Sequence, residues 1–365
     1  MSADLLYSDT EDALRESVRA LLAATCPSER VTAAYDGDAS VASDAWRAVS
    51  EAMELAGLGV DESLGGGGAT SREVAVVMEE LGRIVAPIPF LTSSVIATRV
   101  LVSCDADDLV RTLVDGSAVA VLTVPVTTMG LDELTLPEVA GGLVTGKVHA
   151  VAGCELATLM IVPALDGTVL TLQAIEPQSA STSVTMRSSF DMTRPVSDVE
   201  FTASPATELA RGADAEAAVR AGLLAGGAML ASEQVGLAEW CLESTVAYTK
   251  QRNQFGRPIG SFQALKHRMA RLWIAVNSAR AAARNAAVLV DAGGEEAAVA
   301  VGLAQAYCSD VAVLAAEECV QLHGGIGMTW EHPAHLYLKR AKADQVALGT
   351  AAHHRAVLAD RLTPT

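Results

Sequence analysis

The amino-acid sequence predicts an α+β protein in which a β region lies between two helical regions. The first hundred or so residues carry apolar side chains at helical spacing, the middle carries short β-branched runs, and the remainder consists of long Ala-rich helical stretches. Strands and helices are thus segregated along the chain, which favours an antiparallel sheet or small barrel over alternating βα units. We predict an N-terminal helical domain at residues 1–112, a central β domain at 113–207 and a C-terminal four-helix bundle at 208–365.

The N-terminal region has the apolar spacing of amphipathic helices. Leu14, Val18 and Leu22 fall on one stripe of "DTEDALRESVRALLAATC", and "SDAWRAVSEAMELAGLG" repeats the pattern. The four consecutive glycines Gly65 to Gly68 invite comparison with a phosphate-binding loop. Because no strand pattern precedes them and no GKS or GKT follows, we interpret them as a flexible connection.

The central and C-terminal regions differ in the length of their apolar segments. Runs such as "SAVAVLTVPV", "LATLMIVPAL" and "GTVLTLQAI" are short, β-branched and separated by Gly, Pro or Asp, as in strands. Long helical stretches then begin near Ala213, Gln263 and Glu295, and a last helix follows "EHPAHLYLKRAKADQ". Four such helices in succession are typical of a helical bundle.

Composition argues against several classes of protein. The chain has 26 basic and 44 acidic residues and a net charge of −18, so nucleic acid and anionic membrane surfaces are not expected as partners. The six cysteines show no CxxC pair, as expected of reduced thiols in a cytoplasmic protein. The start of the sequence lacks the pattern of a signal peptide, and no apolar run reaches the ~18 residues of a membrane span. We therefore expect a cytoplasmic protein.

The histidines do not have the spacing of a metal site. There is no HExxH-type arrangement among the histidines of the C-terminal region, and no cysteine has the spacing of a further metal ligand. These histidines are His323, His332, His335 and the pair His353 and His354. We interpret these side chains as helix caps or solvent-facing residues, and we expect no metal.

The stretch "RNQFGRPIGSFQ" at residues 252–263 interrupts the helical region with unusual chemistry. The Arg252 guanidinium can pair bidentately with a phosphate, Gln254 adds an amide, and Phe255 adds an apolar plate. Gly256 and Pro258 favour a tight turn that lets the backbone approach a ligand. The alternative reading is a capped turn between helices with an exposed arginine.

A second glycine cluster, "QLHGGIGMTWEH" at residues 321–332, ends the third long helix. Gly324, Gly325 and Gly327 permit close backbone approach, while Gln321 and His323 supply polar edges. A helix C-cap explains most glycine pairs, so this cluster alone is weak evidence for a ligand-binding site. Together with the Arg252 stretch, it indicates a site for a phosphate-bearing cofactor.

Three stretches of the chain resemble the acyl-CoA dehydrogenase family. "LGVDESLGGGGATSREVAVVMEELGR" is similar to its N-terminal signature, "RNQFGRPIGSFQALKHRMA" to its flavin-diphosphate segment, and "QLHGGIGMTWEHPAHLYLKRAK" to its adenine-side segment. The resemblance implies an N-terminal helical domain, a central β domain and a C-terminal four-helix bundle. It also implies FAD as cofactor, an acyl-CoA thioester as substrate and an electron-transfer flavoprotein-like acceptor.

The resemblance assigns expected roles to individual residues. It makes Arg252 the ligand of the FAD diphosphate, with Gln254 and Phe255 beside it, and in this family that turn reaches across an interface to a neighbouring subunit's FAD. The remaining expected cofactor contacts are Gln321, Gly324, Gly325 and, at a helix start, Thr350.

The catalytic carboxylate of the family has no counterpart at its usual positions. The reaction needs a base to remove the α-proton while the flavin accepts a hydride from the β-carbon. A gap-free count from Gln321 places Leu348 at the position of the usual Glu, and a count from Arg252 places Gly226 at the position used by a minority of members. Glu233 shares a helical face with Gly226 but lies about 10 Å further along the axis. The catalytic residue of this chain is therefore unknown.

The β region also departs from the family. "VLTVPVTTMGLDE" and "GKVHAVAGCE" stand where self-sufficient members have an acidic-Ala-Gly-Ser element and an aromatic residue beside the flavin ring. The chain thus resembles the base-less subunit of actinobacterial α2β2 dehydrogenases that act on steroid side-chain CoA thioesters. A homologous partner subunit would then supply the base. Two alternatives remain open: a homotetramer with an unconventional base such as Glu233, or a non-catalytic acyl-CoA-binding or structural subunit.

Overall fold

The computed structural model of the chain describes residues 5–35, 38, 40–132, 134–177 and 180–362. It divides into two compact units. The first comprises Met1–Asp38, Ser71–Ala86 and Gly227–Thr365, and the second comprises Ala39–Thr70 and Pro87–Gly226. The predicted α+β class is confirmed, because long helices flank a central sheet along the chain. The three domain ranges stay a prediction, and their outermost residues, 1–4 and 363–365, lie outside the described part.

Helices make up most of the described chain. The α-helices are α1 (Asp9–Thr25), α2 (Ser28–Tyr35), α3 (Ser40–Arg47), α4 (Ser71–Ile84), α5 (Thr98–Ser103), α6 (Asp107–Val114), α7 (Ala213–Gln251), α8 (Gln263–Val290), α9 (Gly294–His323), α10 (Ala334–Asp344) and α11 (Ala351–Leu362). A π-helical segment, Phe90–Ala97, precedes α5, and a 3₁₀ segment, Gly324–Met328, follows α9.

The strands are β1 (Ala120–Leu122), β2 (Glu138–Ala140), β3 (Leu143–Ala152), β4 (Leu159–Asp166), β5 (Val169–Ile175), β6 (Thr182–Arg187), β7 (Val196–Pro205), β8 (Thr207–Arg211), β9 (Asn253–Gln254) and β10 (Arg257–Pro258). The first eight form one sheet in the order β6-β7-β3-β2-β4-β5-β8, with β1 beside β4. The predicted antiparallel pairings are present, but β1 and β2 pair with β4 in parallel, so the sheet is mixed. One face carries the apolar core of the second unit, including Val144, Met160, Val199 and Phe201.

The first unit begins with a helix whose start the sequence specifies locally. The Ser8 hydroxyl accepts a hydrogen bond from the Glu11 backbone amide, and the Glu11 carboxylate accepts one from the Ser8 amide, which together form a capping box. Val18 and Leu22 of α1 are buried, as their helical spacing predicts.

Helices α4 and α7 of the first unit meet at a reciprocal pair of glycines. A Cβ added to Gly82 would lie 2.1 Å from the Glu233 carbonyl oxygen, and one added to Gly236 would lie 1.8 Å from the Glu79 carbonyl oxygen. Both distances are shorter than any van der Waals contact, so the two backbones touch only because neither position carries a side chain. This contact fixes α4 against the middle of α7.

Helix α9 is the most apolar long helix of the described chain. The stretch Gly294–Met328 is long and apolar enough to cross a membrane by length and composition alone. Of its most apolar window, however, 67% is buried inside the protein, as in the core helix of a helical bundle. Its buried alanines pack against α8, α10 and α11.

Candidate functional site

The Arg252 stretch folds as a two-residue hairpin at the end of α7. Strands β9 and β10 pair antiparallel with Gln254 opposite Arg257, and Phe255 and Gly256 form the turn. Both turn residues have positive φ, 52° at Phe255 and 75° at Gly256, which is the condition for a type I′ turn. Glycine adopts this conformation without cost, whereas a bulky residue such as Phe255 is strained by about 1–3 kcal/mol.

The strained phenylalanine has little packing to hold it. Phe255 is 89% exposed, and its one ring contact within the described part of the chain is with the edge of Phe262, at 6.1 Å between centroids. The two arginines of the hairpin differ in their contacts. The Arg257 guanidinium lies over the Phe262 ring at 3.9 Å, whereas the exposed Arg252 guanidinium makes no hydrogen bond or ion pair within the described residues. Arg252 is therefore available to an anionic ligand.

The second predicted cluster forms an exposed turn at the end of α9. Gly324 has φ 64° and donates its amide to the Gln321 carbonyl, which ends the helix. Gln321, Gly324 and Gly325 are exposed, and a Cβ added to Gly325 would meet nothing within 4 Å. Gly327 differs, because a Cβ there would lie 2.6 Å from the Val320 carbonyl oxygen. The first two glycines thus leave open backbone, and the third permits the loop to fold.

The structure brings the hairpin and the glycine loop together. Tyr248 in the last turn of α7 contacts His323, the last residue of α9, at 4.5 Å between ring centroids. The Tyr248 carbonyl accepts a hydrogen bond from the Arg252 amide at 2.9 Å. The two predicted segments therefore extend from adjacent helix ends.

Thr350 lies apart from these two segments. Its hydroxyl accepts a hydrogen bond from the His353 amide at 3.2 Å and caps the start of α11. Arg355, one turn later, donates to the Ala306 carbonyl and pairs with Asp310, so α11 starts beside the middle of α9. That point is about three helical turns before Gln321. The expected contact of Thr350 with the cofactor stays a prediction.

Neither expected position of the base carries a carboxylate. Leu348 is 7% exposed and has a left-handed backbone with φ 52°, and its carbonyl accepts a hydrogen bond from His354 Nε2 at 3.0 Å. Gly226 is buried in α7. Glu233 is 1% exposed and forms an ion pair with Arg340, which is equally buried. A carboxylate held in this way is not free to accept a substrate proton.

The second unit contains two buried hydroxyls in the stretch that departs from the family. Thr123 and Thr128 are 1% and 4% exposed, and their side-chain oxygens have no hydrogen-bond partner in the described chain. An unpaired buried hydroxyl costs about 1–3 kcal/mol, so a ligand or water that hydrogen-bonds to them would be stabilised.

Histidine replaces the expected aromatic residue beside the predicted flavin ring. His149 Nδ1 lies 2.9 Å from Asp198 Oδ2, and Arg187 also binds this carboxylate. These hydrogen bonds, first from Arg187 and then from His149, hold the pKa of Asp198 below its usual value. The segment is therefore polar and ion-paired at the position where the resemblance implies an aromatic face in self-sufficient members.

Some features of the site were not visible in the sequence. His323 is 3% exposed rather than solvent-facing, and His354 is also buried. The ion pair between Glu233 and Arg340 joins residues too far apart for any local pattern to reveal. No group of three or more His, Cys, Asp or Glu side chains that could hold a metal is found among the described residues.

Comparisons with known proteins agree with this architecture. The sequence profile of the acyl-CoA dehydrogenase N-terminal domain matches residues 8–105, and that of the C-terminal domain matches residues 216–363. The acyl-CoA dehydrogenase IpdE2 of Mycolicibacterium smegmatis is 34% identical over 342 residues, which cover 94% of this chain and 95% of IpdE2.

Two solved structures share the fold. The ChsE4-ChsE5 complex from Mycobacterium tuberculosis superposes with a TM-score of 0.88 at 24% identity, covering 100% of both chains. A variant of the Tcur3481-Tcur3483 steroid ACAD gives a TM-score of 0.85 at 24% identity, covering 96% of this chain and 97% of that one. With the fold, the motifs and a full-length relative in agreement, the chain belongs to the acyl-CoA dehydrogenase family.

Proposed function

We propose that this chain is one subunit of a heteromeric FAD-dependent acyl-CoA dehydrogenase whose partner supplies the catalytic base. The observation that carries the proposal is a contrast within the chain. The hairpin that the resemblance assigns to the cofactor is present, and its Arg252 guanidinium has no partner among the described residues. Both expected positions of the base, Leu348 and Gly226, lack a carboxylate. A chain that has the residues expected to bind the cofactor but lacks the base fits a shared active site better than a self-sufficient one.

The residues of this chain would bind and orient the cofactor. The Arg252 guanidinium can form two parallel hydrogen bonds to a diphosphate, and Gln254 and Phe255 would cover the neighbouring surface. The open backbone of Gly324 and Gly325 would approach the adenine side. Bound FAD would supply the acceptor for the hydride that leaves the β-carbon of an acyl-CoA thioester.

The surface of the first unit also favours assembly with a partner. An open apolar groove of about 650 Å³ lies between α7 and α8 beside the hairpin, lined in part by Leu242, Val246, Met269 and Trp273. Further apolar side chains on α8 and α9 are exposed in the single chain: Ile274, Leu303, Tyr307 and Leu314. Exposed apolar surface of this extent is typical of protein interfaces.

Relatives support the heteromeric form and the substrate class. Both solved structures compared above pair two differently named proteins, and one of them is a steroid dehydrogenase. We therefore propose a homologous dehydrogenase subunit as partner in an α2β2 assembly and a steroid side-chain CoA thioester as substrate. A cytoplasmic location and an electron-transfer flavoprotein-like acceptor complete the proposal.

Two alternatives have less support. A homotetramer would need a base within this chain, and the strongest candidate, Glu233, is buried against Arg340. A purely structural subunit would have no use for an exposed arginine and a strained phenylalanine on a hairpin. Each alternative predicts a different flavin content for the purified protein.

The test is the visible absorbance spectrum of the chain purified alone and after co-expression with a fuller homologous subunit. We expect a colourless or poorly soluble chain alone and a yellow complex that oxidises acyl-CoA. About one FAD per chain in the isolated protein would contradict the shared site. A stable complex without flavin would favour a structural subunit. Arg252→Ala in the complex provides the matched control, because it should lower the FAD content without dissociating the subunits.

A further inference from the structure

His323 occupies the junction between the two cofactor-contacting segments. It is the last residue of α9 and is 3% exposed. Its ring lies 4.5 Å from Tyr248 on α7 and 4.2 Å from His332, which follows the glycine loop. Its Nδ1 donates a hydrogen bond to the Cys319 carbonyl at 2.7 Å, which fixes the orientation of the ring.

Each contact reaches a different part of the predicted site. The Tyr248 carbonyl accepts a hydrogen bond from the Arg252 amide, so the position of Tyr248 determines where the hairpin starts. Gly324 follows His323 directly, and His332 lies just beyond the loop, where its Nδ1 accepts a hydrogen bond from the Ala334 amide. One buried imidazole thus touches the helix turn before the hairpin and both ends of the loop.

From this arrangement we infer that His323 is a positioning residue that holds the Arg252 hairpin and the glycine loop in register for the cofactor. The inference rests on the proposed function, because it assumes that both segments contact the same class of ligand. It adds a residue to which the family resemblance assigns no role. His323 does not contact the ligand itself, since its side chain is buried beneath the loop.

The charge state of the cluster supports a defined geometry. A hydrogen bond from Cys241, opposed by burial and assisted by His323, lowers the pKa of Cys319 to about 5. Burial lowers the pKa of His323, but the hydrogen bonds and charge of Cys319 outweigh it and raise the pKa overall. Cys319 Sγ lies 3.6 Å from His323 Nδ1, so the thiol and the imidazole each favour the charged form of the other.

Burial favours the neutral forms of the two neighbouring histidines. Burial, followed by the charges of His323 and His335, lowers the pKa of His332 to about 4, and burial lowers the pKa of His335 as well. The titratable groups that face the pair are Cys241, Tyr248 and, from the segment after the loop, His332, His335 and Tyr337. When protonated, His323 places its charge between the rings of Tyr248 and His332 and at the C-terminus of α9, and both positions stabilise a cation.

The first test uses hydrogen exchange on the full-length chain and needs no cofactor. His323→Ala is expected to increase amide exchange about 5- to 10-fold both in residues 246–262 and in residues 320–336, since both segments lose the same contact. His353→Ala, which alters an exposed histidine on α11, should change neither segment. Faster exchange in the loop alone, or in neither segment, would overturn the inference.

His323→Phe keeps a ring between Tyr248 and His332 but removes the hydrogen bond and the charge. It serves if the alanine variant does not fold, and we expect it to restore slow exchange in the hairpin but only partly in the loop. Faster exchange of the hairpin in this folded variant would show that ring contact does not position it, and would overturn the inference.

The second test separates positioning from a purely structural role by means of pH. In the co-expressed complex, FAD affinity is expected to fall about 3- to 10-fold as pH rises through the raised pKa of His323, because the imidazolium and its contacts with the two rings are lost. Cys319→Ser should move the midpoint to lower pH, and His323→Phe should abolish the dependence. A pH dependence that survives in His323→Phe would overturn the inference. If the complex binds no FAD, the proposed function fails, while the exchange measurements still decide the role of His323.

Discussion

Two turns of the first unit share a backbone conformation and differ in their surroundings. Phe255 and Leu348 both have φ 52°, and each is followed by a glycine of positive φ. Leu348 is 7% exposed and its carbonyl is held by His354, whereas Phe255 is 89% exposed. The strain at Leu348 is balanced by packing within the chain. Phe255 has only an edge contact with Phe262 within the described part of the chain, which supports the proposal that a partner or cofactor packs against it.

A missing chemical group and a missing contact are recognised by different features of the structure. At Leu348 the expected carboxylate is absent, but the turn is complete and buried. At the hairpin all the expected side chains are present, but the Arg252 guanidinium has no partner among the described residues and Phe255 is exposed. Changes at the Leu348 turn should therefore alter the stability of the chain, and changes in the hairpin should alter binding.

Glu233→Gln tests whether a carboxylate of this chain is the catalytic base, and it has the largest expected effect on stability. The substitution leaves the Arg340 charge buried without its partner, so we expect the free energy of unfolding to fall by about 3–5 kcal/mol. Urea denaturation measures the change. Glu243→Gln on the same helix removes an exposed carboxylate paired with Arg83 and should cost about 0–1 kcal/mol. A stable Glu233→Gln complex that has lost all turnover would identify Glu233 as the base.

Leu348→Ala examines the buried turn directly. Truncation of a buried leucine leaves a cavity, so we expect a loss of about 2–5 kcal/mol in the free energy of unfolding of the isolated chain. The matched variant is Leu303→Ala, because Leu303 is 51% exposed and its truncation should change stability by less than about 0.5 kcal/mol. Equal effects of the two substitutions would mean that the Leu348 turn is not held by packing.

Arg252→Ala examines the exposed hairpin. Loss of hydrogen bonds to a charged group costs about 1.5–3 kcal/mol, which corresponds to a roughly 10- to 100-fold weaker affinity for FAD in the complex. The melting temperature of the isolated chain should not change, because the side chain has no partner within the described residues. Arg271→Ala removes another exposed arginine, on α8, as the control for net charge. Undiminished FAD affinity in Arg252→Ala would remove Arg252 from the cofactor site.

Phe255→Asn has the smallest expected effect, but it should change the stability of the isolated chain and the stability of the complex in opposite directions. Asn followed by Gly is the preferred sequence of a type I′ turn, so relief of strain should stabilise the isolated chain by about 0.5–1 kcal/mol. The same change removes an apolar contact and should weaken the complex with its partner. Phe190→Asn replaces a phenylalanine that is 62% exposed but has no left-handed backbone, and it should stabilise nothing. A Phe255→Asn chain that is less stable alone would mean that Phe255 packs within its own chain.

The sequence predicted what local patterns encode. Helical and strand periodicity gave the α+β class, and the two motif stretches identified the segments that end α7 and α9. Pairing between distant segments was not predictable, so the parallel contact of β1 with β4 and the ion pair of Glu233 with Arg340 emerged only from the fold. The roles of all seven cofactor residues stay predictions.

The glycine contact between α4 and α7 has a consequence for how this chain can vary. A methyl group at Gly82 would meet the Glu233 carbonyl, and a methyl group at Gly236 would meet the Glu79 carbonyl, so in both cases the obstacle is backbone and no rotamer change relieves it. Neither glycine can mutate alone without separating the helices. Among descendants of this sequence, both positions should therefore remain glycine, because a side chain at the second position would add a clash and would not relieve the first.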